Sequence, residues 1–164
     1  MEWLLKHLIY YSIKKFKDLT RKKIAIRCLT KPSKGFGHFS RCLNVANSLK
    51  NNNIRVSFII DHNKYVLTKL KQLNFSYAVV PKNLSTFQES KFTLDYLQKY
   101  EFDSLIIDMR EYGENLSKFL YKNNFKNIVF DDAWCKNVYA ELLFNGTNVS
   151  QYHDYKIINQ NSKQ

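Results

Sequence analysis

Cysteine, proline and glycine are all scarce in this sequence, and their placement excludes several kinds of site. The 164 residues include three cysteines, four glycines and two prolines. Cys28, Cys42 and Cys135 form no Cys-x-x-Cys pair and no metal-ligand spacing, so we expect neither a metal site nor a metal cofactor. Isolated cysteines in apolar segments are commonly buried and reduced, which favours a cytoplasmic location.

The chain also lacks a second cluster of basic residues. Its formal net charge is +12, and seven of its 26 lysines and arginines fall within residues 1–23, beside two acidic residues. Outside that segment, aromatic residues do not alternate with basic ones as they do in platforms for single-stranded nucleic acids. We therefore expect no nucleic-acid partner.

Residues 1–22 lack the uninterrupted apolar stretch of a membrane span or a signal peptide. They instead have the pattern of a basic amphipathic helix, with apolar residues at helical spacing: Leu5, Leu8, Ile9, Ile13, Phe16 and Leu19. Two interpretations stay open. The helix is either an in-plane anchor that gives peripheral contact with the inner face of the membrane, or a helix that packs on the domain.

From residue 23 onward, strand-like and helix-like segments alternate. Short apolar runs predict strands at Ile24–Leu29, Ile54–Ile60, Ser76–Val80, Ser104–Asp108, Asn127–Phe130 and Glu141–Phe144. Helical spacing predicts helices at Phe39–Lys50, Lys64–Leu73, Thr86–Tyr100 and Gly113–Asn123. The alternation predicts an α/β, Rossmann-like fold with a parallel sheet, flanking helices and right-handed crossovers. Residues 145–164 are polar and irregular, except for Tyr155-Lys156-Ile157-Ile158.

The segment between the first strand and the first helix is the most informative one, and it reads Lys34-Gly35-Phe36-Gly37-His38-Phe39-Ser40-Arg41. Its two glycines would let the backbone approach a ligand, and the free N–H groups of a first helical turn favour anions. The positive end of the helix dipole discourages protonation of His38, which makes its imidazole a candidate general base. The segment is neither a Rossmann Gly-x-Gly-x-x-Gly motif nor a P-loop. From this pattern alone, a tight turn with a surface histidine is an equally good interpretation.

Acidic residues follow several predicted strands. Asp61, Asp108, Asp131 and Asp132 all lie where an apolar run ends. A single aspartate at such a place is more often a helix cap or a turn residue. Because ligands of open α/β sheets bind at the carboxyl ends of the strands, we expect the four to share a polar crevice with His38.

These residues together resemble a known family. The pattern Lys-Gly-Phe-Gly-His-x-x-Arg-Cys-Leu-x-x-Ala-x-x-Leu, residues 34–49, is similar to the start of the UDP-sugar hydrolases of pseudaminic acid biosynthesis and the related spore-coat polysaccharide proteins, relatives of the GT-B glycosyltransferases. The resemblance continues to about residue 145. It includes a strand ending in Asp with a nearby Tyr, a strand ending in Asp-Asp and a strand ending in Asn: Asp108, Tyr112, Asp131, Asp132 and Asn145.

The resemblance implies removal of UDP from a diacetamido-trideoxy sugar nucleotide by water, without a metal or another cofactor. It implies that His38 is the general base and that Tyr112 and Asp108 orient the water or the sugar hydroxyls. Arg41 would pair with a phosphate or with Asp108. The residues expected to contact the UDP-sugar are Gly35, Phe36, Gly37, Arg41, Asp131, Asp132 and Asn145.

Enzymes of that family have two Rossmann-like domains, and this chain resembles only the first, sugar-facing one. The predicted organisation is a basic amphipathic helix at 1–22, a GT-B N-terminal domain at 23–150, and a polar tail or truncated interdomain segment at 151–164. Two alternatives stay open: the chain is a fragment of such an enzyme, or it is one component of a split enzyme whose nucleotide-binding domain a separate chain supplies. Three hypotheses follow: half of a UDP-sugar hydrolase, a membrane-recruiting acceptor half of a split GT-B glycosyltransferase, and an inactive binding domain.

Overall fold

A computed structural model of the chain describes residues 22–30, 36–110, 113–132, 136–146 and 154–159. Within these ranges lie eight strands and four helices. The strands are β1 Lys23–Cys28, β2 Arg55–Ile60, β3 Ser76–Val79, β4 Ser104–Asp108, β5 Asn127–Phe130, β6 Asn137–Tyr139, β7 Leu142–Phe144 and β8 Lys156–Ile158. The helices are α1 Gly37–Asn51, α2 Lys64–Gln72, α3 Thr86–Lys99 and α4 Gly113–Lys122.

Six of the strands form one sheet in the order β3-β2-β1-β4-β5-β7, and every neighbouring pair is parallel. The strand order reverses beside β1, so the carboxyl ends of β1 and β4 flank the point where ligands of doubly wound sheets bind. The remaining two strands, β6 and β8, pair in parallel outside this sheet. The predicted α/β, Rossmann-like architecture is thereby confirmed.

The two faces of the sheet are covered by different helices. On one face, Ile24, Ile26 and Cys28 of β1 pack in a buried cluster with α1 and α2. On the other face, Ala25 and Leu29 join a second cluster with α3 and α4. Successive side chains of a strand point to opposite faces, so the alternation along β1 decides which residues can reach α1.

Asparagine takes the place of glycine at most of the helix ends, which explains how so glycine-poor a chain stops its helices. A left-handed residue, with φ between 54° and 62°, stands two positions after each described helix: Asn53, Asn74, Glu101 and Asn124. The next N–H then bonds back to a carbonyl five residues earlier, as in a Schellman motif. The four pairs are Ile54–Leu49, Phe75–Leu70, Phe102–Leu97 and Phe125–Leu120, with N···O distances of 2.9 to 3.1 Å.

The predicted elements agree closely with the observed ones. β4 and β5 match their predicted bounds, and the other predicted strands and helices differ by one or two residues at an end. Strands β6 and β8 were not predicted, because three residues are too few for an alternating pattern to stand out. No helix among the described residues is long and apolar enough to cross a membrane.

The N-terminal amphipathic helix, Gly35, Tyr112 and Cys135 lie outside the described residues, apart from Lys22 at the end of the helix. Their expected roles and the proposed domain boundaries stay predictions.

Candidate functional site

Helix α1 begins at the carboxyl edge of the sheet, and its first turn carries His38. Its N-cap residue, Phe36, gives no side-chain hydrogen bond to the helix, whereas Asn63 caps α2 and Ser85 caps α3. Gly37 is the first helical residue, and a Cβ atom added there would meet no described atom within 4 Å. No described residue therefore requires glycine at this position.

His38 is paired with a buried carboxylate. Its Nδ1 lies 2.6 Å from Oδ1 of Asp108, the last residue of β4. The Asp108 side chain is 0% exposed and that of His38 is 12% exposed. Nε2 of His38 has no hydrogen-bond partner among the described residues. The pair thus has one nitrogen held by the protein and one available for a ligand or water.

Arg41, one turn further along α1, bridges two aspartates. It donates from Nε and Nη2 to both oxygens of Asp108 at 2.8 and 2.7 Å. It also donates from Nη1 and Nη2 to both oxygens of Asp132 at 2.8 and 3.0 Å. Both contacts are bidentate, the strongest arrangement of arginine with a carboxylate. Of the two expected partners of Arg41, a phosphate or Asp108, the structure contains Asp108.

The contacts of Asp108 keep it ionised. Burial by itself disfavours the charged form, but the hydrogen bonds and charges of Arg41 and His38 outweigh it and lower the pKa of the carboxyl below its ordinary value. Although burial opposes the charge of Arg41 too, the hydrogen bonds that it donates to Asp108 and Asp132 raise its pKa. An ionised carboxylate only accepts hydrogen bonds, so Nδ1 of His38 must carry a proton. In the neutral ring, Nε2 then holds the free lone pair.

Cys42, in the second turn of α1, also contacts Asp108. Its Sγ lies 3.4 Å from Oδ2 of Asp108, and the side chain is fully buried. Burial, together with the neighbouring Cys28 and Asp108, raises the pKa of the thiol well above its ordinary value. A thiol in this state is a weak hydrogen-bond donor and not a nucleophile.

The ionised state of Asp108 predicts a loss of stability in acid. Its pKa is lower in the folded protein than its ordinary value of 3.8, so the unfolded chain binds the proton more readily. The stability gained from this carboxylate is complete above the unfolded pKa and is lost as the pH falls toward the folded pKa. Urea unfolding at about pH 5 and about pH 3 measures this loss in the unmodified chain.

The matched variant for this measurement is Asp108→Asn, which cannot titrate. We expect the free energy of unfolding of the variant to depend less on pH across that window than that of the unmodified chain. An equal pH dependence in the two proteins would contradict the assignment of an ionised, depressed Asp108.

Asp131 and Asn145 meet through a residue that the sequence analysis did not select. The hydroxyl of Tyr155 donates to Oδ2 of Asp131 at 2.8 Å and accepts a hydrogen bond from Nδ2 of Asn145. Asp131 is 3% exposed. Tyr155 begins the stretch that stood out from the polar C-terminal region, Tyr155-Lys156-Ile157-Ile158, and the last three residues of this stretch form β8. That exception was the only signal that could have indicated Tyr155.

Asp61 is not part of the His38 cluster. Its Oδ1 accepts a hydrogen bond from Nη2 of Arg27 at 3.0 Å, and its Oδ2 accepts one from the backbone N–H of Thr30 at 3.0 Å. Arg27 alternates along β1 with Ile26 and Cys28 and so points toward α3, away from α1. The expectation of one crevice containing all four aspartates was wrong for Asp61.

Comparisons with known proteins bear on the fold of the chain. No family model and no curated protein matches the sequence. Among solved structures, the chain is similar to MurG from Acinetobacter baumannii, a GT-B glycosyltransferase, with a TM-score of 0.61 at 9% sequence identity. The alignment covers 84% of this chain and 45% of MurG. The chain has a GT-B-like fold.

This GT-B-like chain spans less than half the length of MurG. At 9% identity, the likeness concerns the fold and carries no residue roles. Formyltetrahydrofolate deformylase from Burkholderia mallei also aligns, with a TM-score of 0.46 and 15% identity over 71% of this chain and 43% of that one, a likeness too low to indicate a shared fold.

Within the GT-B-like fold, the expected site residues fall into two hydrogen-bonded groups at one sheet edge. His38, Arg41, Asp108 and Asp132 form the first, and Asp131 and Asn145 join through Tyr155 in the second. Phe36 and Gly37 are exposed beside the first group. Among the described residues, no cluster of three or more His, Cys, Asp or Glu side chains could hold a metal ion.

Proposed function

We propose that this chain is the sugar-facing half of a UDP-sugar hydrolase that releases UDP from a diacetamido-trideoxy sugar nucleotide. The observation that carries the proposal is the contact between His38 and Asp108 at the carboxyl edge of a GT-B-like sheet. A histidine whose Nδ1 is held by an ionised carboxylate is a general base of known competence.

The chemistry follows from the tautomer of His38. Nε2 accepts a proton from water while the water oxygen forms a bond to the anomeric carbon of the sugar. The bond from that carbon to the diphosphate oxygen breaks, and its electron pair leaves with UDP. Asp108 orients the imidazole ring through its contact with Nδ1. The negative charge of the Asp108 carboxylate also stabilises the imidazolium that forms.

The charges of the site fit a sugar better than a diphosphate. Arg41 is engaged by both Asp108 and Asp132, so its positive charge is more than balanced within the cluster. Asp132 is partly exposed and can accept hydrogen bonds from sugar hydroxyl or acetamido N–H groups. Among the described residues of the His38 cluster, a diphosphate would find the uncapped N–H groups at the start of α1. This balance supports a nucleotide-binding site elsewhere than this cluster.

A second candidate is the acceptor half of a split GT-B glycosyltransferase, and the likeness to MurG favours it. In that case His38 would take a proton from an acceptor hydroxyl instead of from water. The basic segment at 1–22 would then bring the chain to the membrane surface. A third candidate is a binding domain without activity.

One assay separates these candidates. The chain is mixed with its nucleotide-domain partner and a UDP-activated diacetamido-trideoxy sugar, without any acceptor, and UDP and free sugar are quantified. We expect the two products in equal amounts, since water is the nucleophile. Release of UDP only after a glycolipid acceptor is added would contradict the hydrolase and favour the transferase. No release under either condition would contradict both enzymes.

A further inference from the structure

We propose that Phe36 and Tyr65 form a stacking surface for the ring of the sugar on which His38 acts. The inference rests on the function proposed above and names the sugar-contacting part of the same site. Phe36 was expected to contact substrate from the sequence. Tyr65 lies 29 residues away in the chain, and only the packing brings it to the site.

The two rings are exposed and in contact with each other. Phe36 is 45% exposed and Tyr65 is 58% exposed. Their ring centroids lie 4.9 Å apart, with the planes tilted by 57°. The other large apolar side chains exposed in the described part of the chain, which do not pair with one another, are Phe87, Tyr100 and Ile157. A pair of aromatic rings left in water beside a candidate base is a feature of ligand sites.

Both rings lie at the carboxyl edge of the sheet, because each stands at the start of a helix that follows a strand. Phe36 is the N-cap residue of α1, two positions before His38. Tyr65 is the second residue of α2. A ring resting on this surface would lie beside the first turn of α1, where Nε2 of His38 is available.

Hydrogen bonds fix the backbone at Tyr65. The side chain of Asn63 accepts a hydrogen bond from the N–H of Tyr65 at 3.1 Å and donates to the carbonyl of Thr30 at 2.8 Å. Thr30 follows β1 and is bonded in turn to Asp61. The start of α2 is thereby attached to the end of β1. The backbone that carries the Tyr65 ring is therefore in place before a ligand binds.

The exposed area suits one sugar ring. An aromatic side chain has about 150–250 Å² of surface, so these fractions leave roughly 200 Å² of the pair exposed. Surfaces that dock proteins or membranes commonly exceed about 300–600 Å². A pyranose ring presents C–H groups on its faces, and a 6-deoxy sugar with two acetamido groups adds three methyl groups. Such a ligand buries apolar surface on the two rings while its hydroxyl and N–H groups face the aspartates.

Saturation-transfer NMR on the full chain tests the proposal. The probe is free 2,4-diacetamido-2,4,6-trideoxyhexose, with UDP alone as a second probe. We expect transfer to the ring and methyl protons of the sugar. Tyr65→Ala should weaken sugar binding by roughly 2- to 10-fold, the range for one aromatic contact, and Tyr65→Phe should keep it.

The matched control is Tyr100→Ala, which removes another exposed tyrosine just beyond the C-terminal end of α3, at the opposite edge of the sheet. It should leave sugar binding unchanged. Equal sugar binding by Tyr65→Ala and the unmodified chain would overturn the proposal, and so would binding of UDP without the sugar. Sugar binding is measured without turnover, so the two proposals can fail separately. If the sugar binds as expected but no UDP is released in the hydrolase assay, the proposed function is refuted and the stacking surface is supported.

Discussion

Replacing His38 by alanine is expected to slow UDP release by about 10²- to 10⁴-fold, the range that a positioned general base supplies. The alanine variant keeps the helix but has no lone pair to accept the proton from water. The stacking surface of Phe36 and Tyr65 is left in place, so sugar binding should change little. The measurement is the rate of UDP release in the assay with the nucleotide-domain partner, at saturating sugar nucleotide.

Two further variants make this prediction specific. His62→Ala removes an exposed histidine close to the same sheet edge and should release UDP at the unmodified rate. Asp108→Asn keeps the shape of the carboxyl but offers an amide to Nδ1, which no longer fixes the tautomer, so we expect a loss of at least about tenfold. If His38→Ala released UDP as fast as the unmodified chain, His38 would not be the base.

Most of the fold could be predicted because its signals are local. Apolar runs of four to seven residues identified the strands of the main sheet, with β7 found as Glu141–Phe144. Helical spacing identified all four helices. The left-handed residues that end three of the helices, Asn53, Asn74 and Asn124, were not predicted. In a chain rich in asparagine, a single asparagine is a weak signal of a helix end. Only the backbone conformation shows that these residues replace glycine.

The site was harder to predict than the fold, because its contacts join residues far apart in the chain. The ends of the predicted strands placed Asp108 and Asp132 at the same edge of the sheet as His38. The register of β4 and β5 decides that Arg41 contacts both aspartates. Tyr155 lies 24 residues from Asp131, immediately before a short strand of a separate pair. No local pattern encodes such a contact.

Asp61 shows where the reasoning from strand ends failed. It lies at the same sheet edge as Asp108, as predicted. Its position at the edge does not decide toward which face of the sheet its side chain points. Because side chains alternate along β1, Arg27 points toward the face covered by α3. Asp61 pairs with that buried arginine, so its carboxylate is used by the fold and not by the candidate site.

Arg27 is the most consequential charge in the interior. It is 0% exposed in the centre of the sheet, and its guanidinium contacts Glu89 of α3 at 2.6 Å and Asp61 at 3.0 Å. It also donates to the backbone carbonyls of Cys28 and Ile59. Burial works against its charge, but the two carboxylates raise its pKa and keep it ionised. The ion cluster of Arg27, Asp61 and Glu89 joins β1, the end of β2 and α3. It lies near the carboxyl end of β1, the strand that precedes His38 in the chain.

Removing Arg27 should therefore destabilise the protein strongly. We expect Arg27→Ala to lower the free energy of unfolding by about 3–5 kcal/mol, because two carboxylates of low exposure lose their counter-charge and a cavity opens in the sheet. Urea unfolding followed by circular dichroism measures the loss. The matched control is Arg55→Ala on the neighbouring strand, where the side chain is exposed and the change should stay within about 0.5 kcal/mol.

A triple variant separates lost charge from lost volume. Arg27→Met combined with Asp61→Asn and Glu89→Gln removes all three charges and keeps most of the buried volume, so we expect it to regain more than half of the stability that Arg27→Ala loses. If Arg27→Ala cost less than about 1 kcal/mol, the carboxylates would be relieved by water and the ion cluster would not hold α3 to the sheet. If the triple variant were as unstable as Arg27→Ala, the hydrogen bonds to Cys28 and Ile59 would matter more than the charges.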